Sequence, residues 1–172
     1  MDGDWILPDV LAPGLSVVFC GSAAGRRSAE LRAYYAGPGN RFWPLLHDLG
    51  LTPRRLRPEE FRAVLRYGIG LTDLSKGASG ADADLPEGSD DPAGLAQRVL
   101  AAGPRILAFN GKRPAEVFLG RSASYGLQPE ALGATAILVL PSTSRANAHF
   151  SVEPWRELRR LVERLGGVRP WA

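Results

Sequence analysis

The stretch from Leu15 to Gly25, L-S-V-V-F-C-G-S-A-A-G, constrains this chain more than any other. Ser16 to Cys20 is a short run dominated by β-branched and apolar residues, set between Gly14 and Gly21. Such a run, without polar alternation, predicts a strand buried on both faces of a parallel sheet. The chain then turns at Gly21, passes three small residues and turns again at Gly25, and a helical segment is expected over Ser28 to Tyr34. Strand, tight small-residue loop and helix together expose backbone N–H groups at the carboxyl edge of a sheet, where ligands collect. An ordinary βα turn has the same pattern, so the other strand ends have to decide between the two readings.

The rest of the chain supplies partners for that strand. Leu11-Ala12-Pro13-Gly14 closes an irregular lead-in over residues 1–14. Gly37-Pro38-Gly39 breaks the chain, and Asn40 is placed to cap a helix carrying Phe42, Leu45, Leu46 and Leu49, closed by Gly50. Pro58-Glu59-Glu60 opens another helix, with Phe61, Val64 and Leu65 on its apolar face. Tyr67 to Leu74 reads as the second strand, Arg105 to Phe109 as the third and Thr135 to Leu140 as the fourth. Helices are expected over Leu95 to Ala102, over Pro114 to Leu119, and from Pro154 onward. Apolar strands alternating with helices predict an α/β three-layer sandwich around a four-stranded, mainly parallel sheet. With 172 residues and 45% hydrophobic content, one domain over 1–172 is the expectation.

Composition narrows the chemistry. No apolar run approaches the ~18–20 residues that span a bilayer, so no membrane partner is expected. Met1 to Asp9 is acidic and lacks the features of a signal peptide, which leads to the expectation of a cytoplasmic, nucleoid-associated protein of a bacterial cell. The single cysteine, Cys20, forms no internal disulfide and reads as a small core residue. The acidic, Gly- and Ala-rich stretch 77–94 is expected to be a solvated loop; it lacks the His, Cys or paired spacing of a metal site. Of the two histidines, His47 is expected on the solvent side or at the end of its helix, and neither has metal-ligand spacing. A formal charge of +3 is compatible with a nucleic-acid partner.

In a parallel sheet, the ends of all four strands share one edge. That edge then carries Gly21-Ser22-Ala23-Ala24-Gly25, Thr72-Asp73, Asn110-Gly111-Lys112 and Pro141-Ser142-Thr143-Ser144-Arg145. It holds one carboxylate, one lysine, small hydroxyl residues and glycines that allow close approach. Such equipment suits gripping a phosphate backbone and a planar ring, then activating water with an acid.

Five motifs carry a resemblance. L-A-P-G-L-S-V-V-F-C-G-S-A-A-G, P-G-N-R-F-W at Pro38 to Trp43, Y-G-I-G-L-T-D at Tyr67 to Asp73, F-N-G-K at Phe109 to Lys112 and L-P-S-T-S-R-A-N-A-H-F at Leu140 to Phe150 stand in order over roughly residues 9 to 165. The chain resembles the mismatch-specific uracil/thymine-DNA glycosylases. The resemblance implies the uracil-DNA-glycosylase sandwich, with strand order 2-1-3-4, and double-stranded DNA bearing a deaminated or mismatched base as partner. It implies no cofactor, no metal, and a monomer. Backbone N–H groups around Ser22 and Ala23 would meet the leaving base, and Tyr35 would stack on it. Asn40 would be the structural asparagine. Ser28, Asn110, Gly111, Lys112, Ser142 and Ser144 would grip phosphates. Arg145, Ala146, Asn147 and His149 would enter the duplex or touch the opposite strand.

Two positions depart from the family's pattern. The first motif is usually G-I-N-P-G, whose asparagine positions the attacking water, and that position here is Ala23. The wedge position is Ala146, which leaves its neighbour Arg145 for that role. Asp73, the lone carboxylate of the edge, is the expected replacement for the missing asparagine, with Asn110 the runner-up. A protein that flips bases without cutting, or an enzyme of free nucleosides or nucleotides, are the alternative readings.

Overall fold

Side chains that alternate along each strand build two cores, one on either face of a single sheet. The computed structural model describes residues 4–165, so the start of the lead-in and the chain beyond Leu165 lie outside the described residues. Strand β1 (Val17–Gly21) leads through the small-residue loop into α1 (Arg26–Leu31), and α2 (Phe42–Asp48) follows. A 3-10 helix (Pro58–Tyr67) precedes β2 (Ile69–Asp73), and a 3-10 turn (Asp82–Asp84) precedes α3 (Pro92–Ala102). Then come β3 (Ile106–Asn110), α4 (Lys112–Leu119), β4 (Gly126–Leu132), β5 (Thr135–Leu140) and α5 (Glu153–Arg164).

The sheet order is β2-β1-β3-β5-β4, with the first four strands parallel and β4 antiparallel to β5. Val17 and Phe19 of β1 face a core shared with Phe42, Leu46, Trp155 and Leu158. Val18 and Cys20 face the other, with Leu95, Val99 and Ala115 of α3 and α4. Every residue of β1, β2 and β3 is buried, as strands covered by helices on both faces require. Cys20 is a free, fully buried core residue. Trp155 ties one layer together: its ring stacks on Phe19 at 5.6 Å and its Nε1–H donates to the carbonyl of Pro141 at 3.0 Å.

The structure corrects the sequence reading in several places. Among the described residues the sheet has five strands; β4 was not expected, because Pro129 interrupts it and the register shifts between Leu127 and Ala131. Proline lacks the N–H that a central strand must donate, which confines such a segment to an edge or a bulge. The expected order 2-1-3-4 survives for the four parallel strands, now β2-β1-β3-β5. The first helix spans Arg26–Leu31 rather than 28–34, because Arg32 takes a left-handed conformation (φ 51°) and ends it. The helix expected from Pro58 is a 3-10 helix, and Tyr67 belongs to it, so β2 starts only at Ile69. Asn110 ends β3 rather than opening the next loop.

The remaining differences concern loops. The stretch 77–94 is solvated, with none of its residues buried, but it is anchored at a few points. Ser79 bridges to Ala24, Gly80 donates to the Ala24 carbonyl, and residues 92–94 form the first turn of α3, whose cap is Asp91. The lead-in is also structured. Val10 pairs antiparallel with Leu71 through two 2.9 Å hydrogen bonds and covers the outer edge of β2. His47 is exposed in the last turn of α2.

Candidate active site at the carboxyl edge of the sheet

The parallel register aligns the strand ends. Gly21 pairs with Asp73 across β1 and β2, and Asn110 pairs with Leu140 across β3 and β5. A cavity of about 650 Å³ opens above this edge, lined by residues from Leu7 to Asn147 that include Gly21 to Ser28, Tyr35, Asp73 and Ser142 to Ala146.

Asp73 sits at its floor, 4% exposed. Among the described residues no protein group donates a hydrogen bond to its carboxylate; its backbone carbonyl accepts from Arg98 at 3.1 Å. A Cβ added at Gly21 would stand 3.0 Å from Asp73 Oδ1 and 3.4 Å from Tyr35 Oη, so glycine is needed here to leave room beside the carboxylate. Burial pushes the Asp73 carboxyl up to about 6; Lys76 and Arg98 pull it down and Asp9 pushes it up.

Tyr35 stands over the same floor, in a left-handed conformation (φ 53°) that bulky residues adopt only under constraint. Its ring packs on Phe42, centroids 4.0 Å apart, and among the described residues its buried hydroxyl finds no partner at hydrogen-bond geometry. Burial and then the charge of Asp73 hold the phenol well above its ordinary range, with Asn110 acting in the opposite sense. A buried hydroxyl left unpaired costs stability, and groups of this kind gather at functional sites.

The remaining site residues fall into two groups. One holds the walls. Asn110 is 7% exposed, and its amide is engaged twice with Thr143, donating to Oγ1 and accepting from N–H, both at 2.9 Å. Ser28 is buried and its Oγ accepts the Ala36 N–H at 3.0 Å. Asn40 Oδ1 accepts the Phe42 N–H at 2.9 Å from one residue before the N-cap, which is Arg41 and not Asn40 as expected, so it braces the entry to α2. Ser142 Oγ accepts from the Ser144 N–H, and Ser144 Oγ from the Ala146 N–H, each at 3.2 Å. The Asn147 amide donates to the Ser142 carbonyl at 3.0 Å. These short-range bonds shape the 141–147 loop.

The other group forms the rim. Arg145 and Ala146 are exposed at the mouth, and the aliphatic stem of Arg145 lies against Gly39, where an added Cβ would come within 2.9 Å of its Cδ. Lys112 starts α4, its Nζ 4.5 Å from the Tyr125 ring, and Gly111 (φ 126°) makes the turn before it. Ala23 lines the cavity, and its methyl group cannot hold a water. His149 is exposed and does not line the cavity.

Several lining residues were not foreseen, and Arg113 makes the most contacts of consequence. Arg113 reaches from the first turn of α4 to Ser22 Oγ at 3.2 Å and pairs with Asp90 at 2.8 Å. Its position one residue past F-N-G-K was the only signal available. With Arg26, Arg27, Lys112 and Arg145 it gives the cavity five basic side chains against the acidic Asp73 and Asp82. The described residues contain no group of His, Cys, Asp and Glu able to hold a metal.

A mostly parallel α/β sheet with a carboxylate under a cationic mouth is a scaffold able to seat a ring on its floor and an anionic backbone on its rim. The model of the Uracil DNA glycosylase superfamily matches residues 8–165, and the chain belongs to that superfamily. It is also similar to the solution NMR structure of a candidate uracil DNA glycosylase from Methanosarcina acetivorans. The two are 26% identical with a TM-score of 0.62, over 92% of this chain and 96% of that one.

Proposed function

We propose that this protein is a monofunctional glycosylase that extrudes a deaminated base, uracil opposite guanine above all, from duplex DNA and hydrolyses its N-glycosidic bond. The observation that carries the reading is the carboxylate of Asp73: buried, unpaired and open to the cavity beside the Gly21 turn. Breaking the bond builds positive charge on the sugar and negative charge on the departing base. Asp73, ionised, orients and partly deprotonates the attacking water and stabilises the cationic sugar. Backbone N–H groups around Ser22 meet the base. Ala23 removes the usual water-holding side chain, and the carboxylate takes over that task. Asn110 acts on the phosphate side chiefly by shaping the loop it bonds to, while Lys112, Ser142, Ser144 and Arg113 line the path of the backbone.

Incubation with a G:U duplex followed by alkali tests this: strand breaks at the uracil position are expected. Tight binding of that duplex with no breaks would favour the second reading, a lesion-binding protein, which Ala23 motivates. A panel with thymine, hypoxanthine and xanthine then defines the lesion.

Tyr35→Phe should keep or raise the melting temperature, since it deletes an unpartnered hydroxyl. Single-turnover excision should stay within about twofold of wild type, since the ring that stacks on the base is kept and the hydroxyl is closed off from the cavity. A larger loss would give the hydroxyl a role beside the ring.

Arg145→Ala should slow excision from duplex far more than from single strands, because extrusion from a duplex costs a few kcal/mol that a wedge offsets. Equal rates on duplex for variant and wild type would remove Arg145 from that role. Duplex affinity should also fall steeply with salt.

A further inference from the structure

Next to Asp73 lies a cluster that the glycosylase reading does not use. Asp9 of the lead-in pairs with Lys76 Nζ at 2.9 Å and with Arg98 Nε at 2.8 Å. Thr72 Oγ1 donates to Asp9 Oδ1 at 2.7 Å. Lys76 also donates to Tyr34 Oη at 3.1 Å, which itself donates to the Pro8 carbonyl at 2.9 Å. Arg98 reaches from α3 to the Asp73 carbonyl at 3.1 Å and toward Thr72 Oγ1 at 3.4 Å. The Trp5 ring covers both cations, 5.0 Å from Lys76 Nζ and 5.1 Å from Arg98 Cζ. The side chains are 5% exposed for Lys76, 11% for Asp9 and 18% for Arg98.

We propose that Asp9, Lys76 and Arg98 are positioning residues, a frame that fixes the backbone of Asp73 and balances its charge. This rests on the reading of Asp73 as the group that activates water. The arithmetic of charge supports it. Lys76 and Arg98 bring two positive charges and Asp9 one negative, so the frame carries one positive charge in excess. An ionised Asp73 brings the set to zero. A buried carboxylate that accepts no hydrogen bond needs such a counterweight. Asp9 limits it, because without that charge the two cations would pull the Asp73 carboxyl further down against its burial. The other titratable groups around Asp73 are Cys20 of β1 and Tyr34 and Tyr35 after α1, and burial keeps all three protonated at neutral pH.

The frame therefore predicts opposite effects from two neutralising substitutions. Asp9→Asn should lower the pH at which Asp73 ionises, and Lys76→Met should raise it, each by at least about half a unit. Two readouts on the full chain separate the possibilities: carbon-13 titration of the Asp73 carboxyl, identified by its absence in Asp73→Asn, and the pH profile of single-turnover excision on a G:U duplex. Opposed movement in the titration supports the frame. Midpoints that stay put, or move together, overturn it, since a merely structural cluster would alter stability without opposed shifts. Opposed titration shifts with an unmoved rate profile would support the frame and instead count against Asp73 as the water-activating group. If Lys76→Met does not fold, Arg98→Gln, at a more exposed position, should raise the midpoint in its place; a fall would overturn the proposal.

Discussion

Asp73→Asn should slow single-turnover excision of uracil at neutral pH by at least about a hundredfold, retain DNA binding, and make the protein more stable. General base action by a positioned side chain is worth ~10²–10⁴ in rate, and the amide keeps the shape of the carboxylate while losing its charge and basicity. The gain in stability follows from linkage. Burial holds the Asp73 carboxyl at about 6 against an ordinary value of 3.8. Between those values the folded protein binds a proton that the unfolded chain does not. The stability this confers is fully present below the unfolded value and is lost as pH rises through about 6. At pH 7 the buried anion costs folding on the order of 2–3 kcal/mol, at ~1.4 kcal/mol for each pH unit of displacement. The Asp73→Asn variant would not carry that cost, so its melting temperature should exceed the wild-type value at pH 7 and converge on it near pH 4. In the wild type, excision should rise with pH through a midpoint near 6, where Asp73 ionises. Near-normal excision by Asp73→Asn would move the assignment to Asn110.

Trp155→Ala should cost about 3–5 kcal/mol of folding stability, the range for deleting a large aromatic side chain from a core. Trp155 is wholly buried between Phe19 of the sheet and Phe42 of α2. Its indole N–H holds the Pro141 carbonyl, the first residue of the loop that carries Ser142, Ser144 and Arg145. Packing and loop position can be separated with Trp155→Phe. That change keeps most of the buried ring and leaves the Pro141 carbonyl unpaired, a loss of roughly 1–3 kcal/mol. The urea midpoint should fall strongly for Ala and modestly for Phe, with the slope unchanged in both. Excision by the Phe variant should weaken on duplex DNA at temperatures where the protein is fully folded. Wild-type excision by that variant would show that the 141–147 loop keeps its position through its own turns and the Asn110–Thr143 pair.

The parallel strands and the edge they share were legible because each rests on local signals, whereas their order was implied by the resemblance to the glycosylases. Short apolar runs between glycines mark buried strands, and a small-residue turn marks the point where the backbone can be approached. Asn40 was legible as a residue at the start of α2 because its partner, the Phe42 N–H, is two residues away, although the N-cap itself is Arg41. The 3-10 geometry from Pro58 was not legible, since its apolar spacing resembles that of an α-helix. Strand β4 was hidden by Pro129 and by exposed positions such as Leu127 on an edge whose pairing β5 supplies.

The sequence alone therefore determined the layered α/β architecture and the motifs that meet at one edge. It also marked the place of Asp73 at the end of β2. Tertiary structure alone decided the state of those groups. Asp73 is open to the cavity and unpaired, whereas Asn110, of similar shape and on the same edge, is engaged with Thr143 across 33 positions. Asp9 meets Thr72 across 63 positions and joins Lys76 and Arg98 from separate elements. Propensity and periodicity act over a few residues. Desolvation and hydrogen-bond partnering depend on which segments come together in space, so the chemical state of a buried group is fixed only once the chain has folded around it.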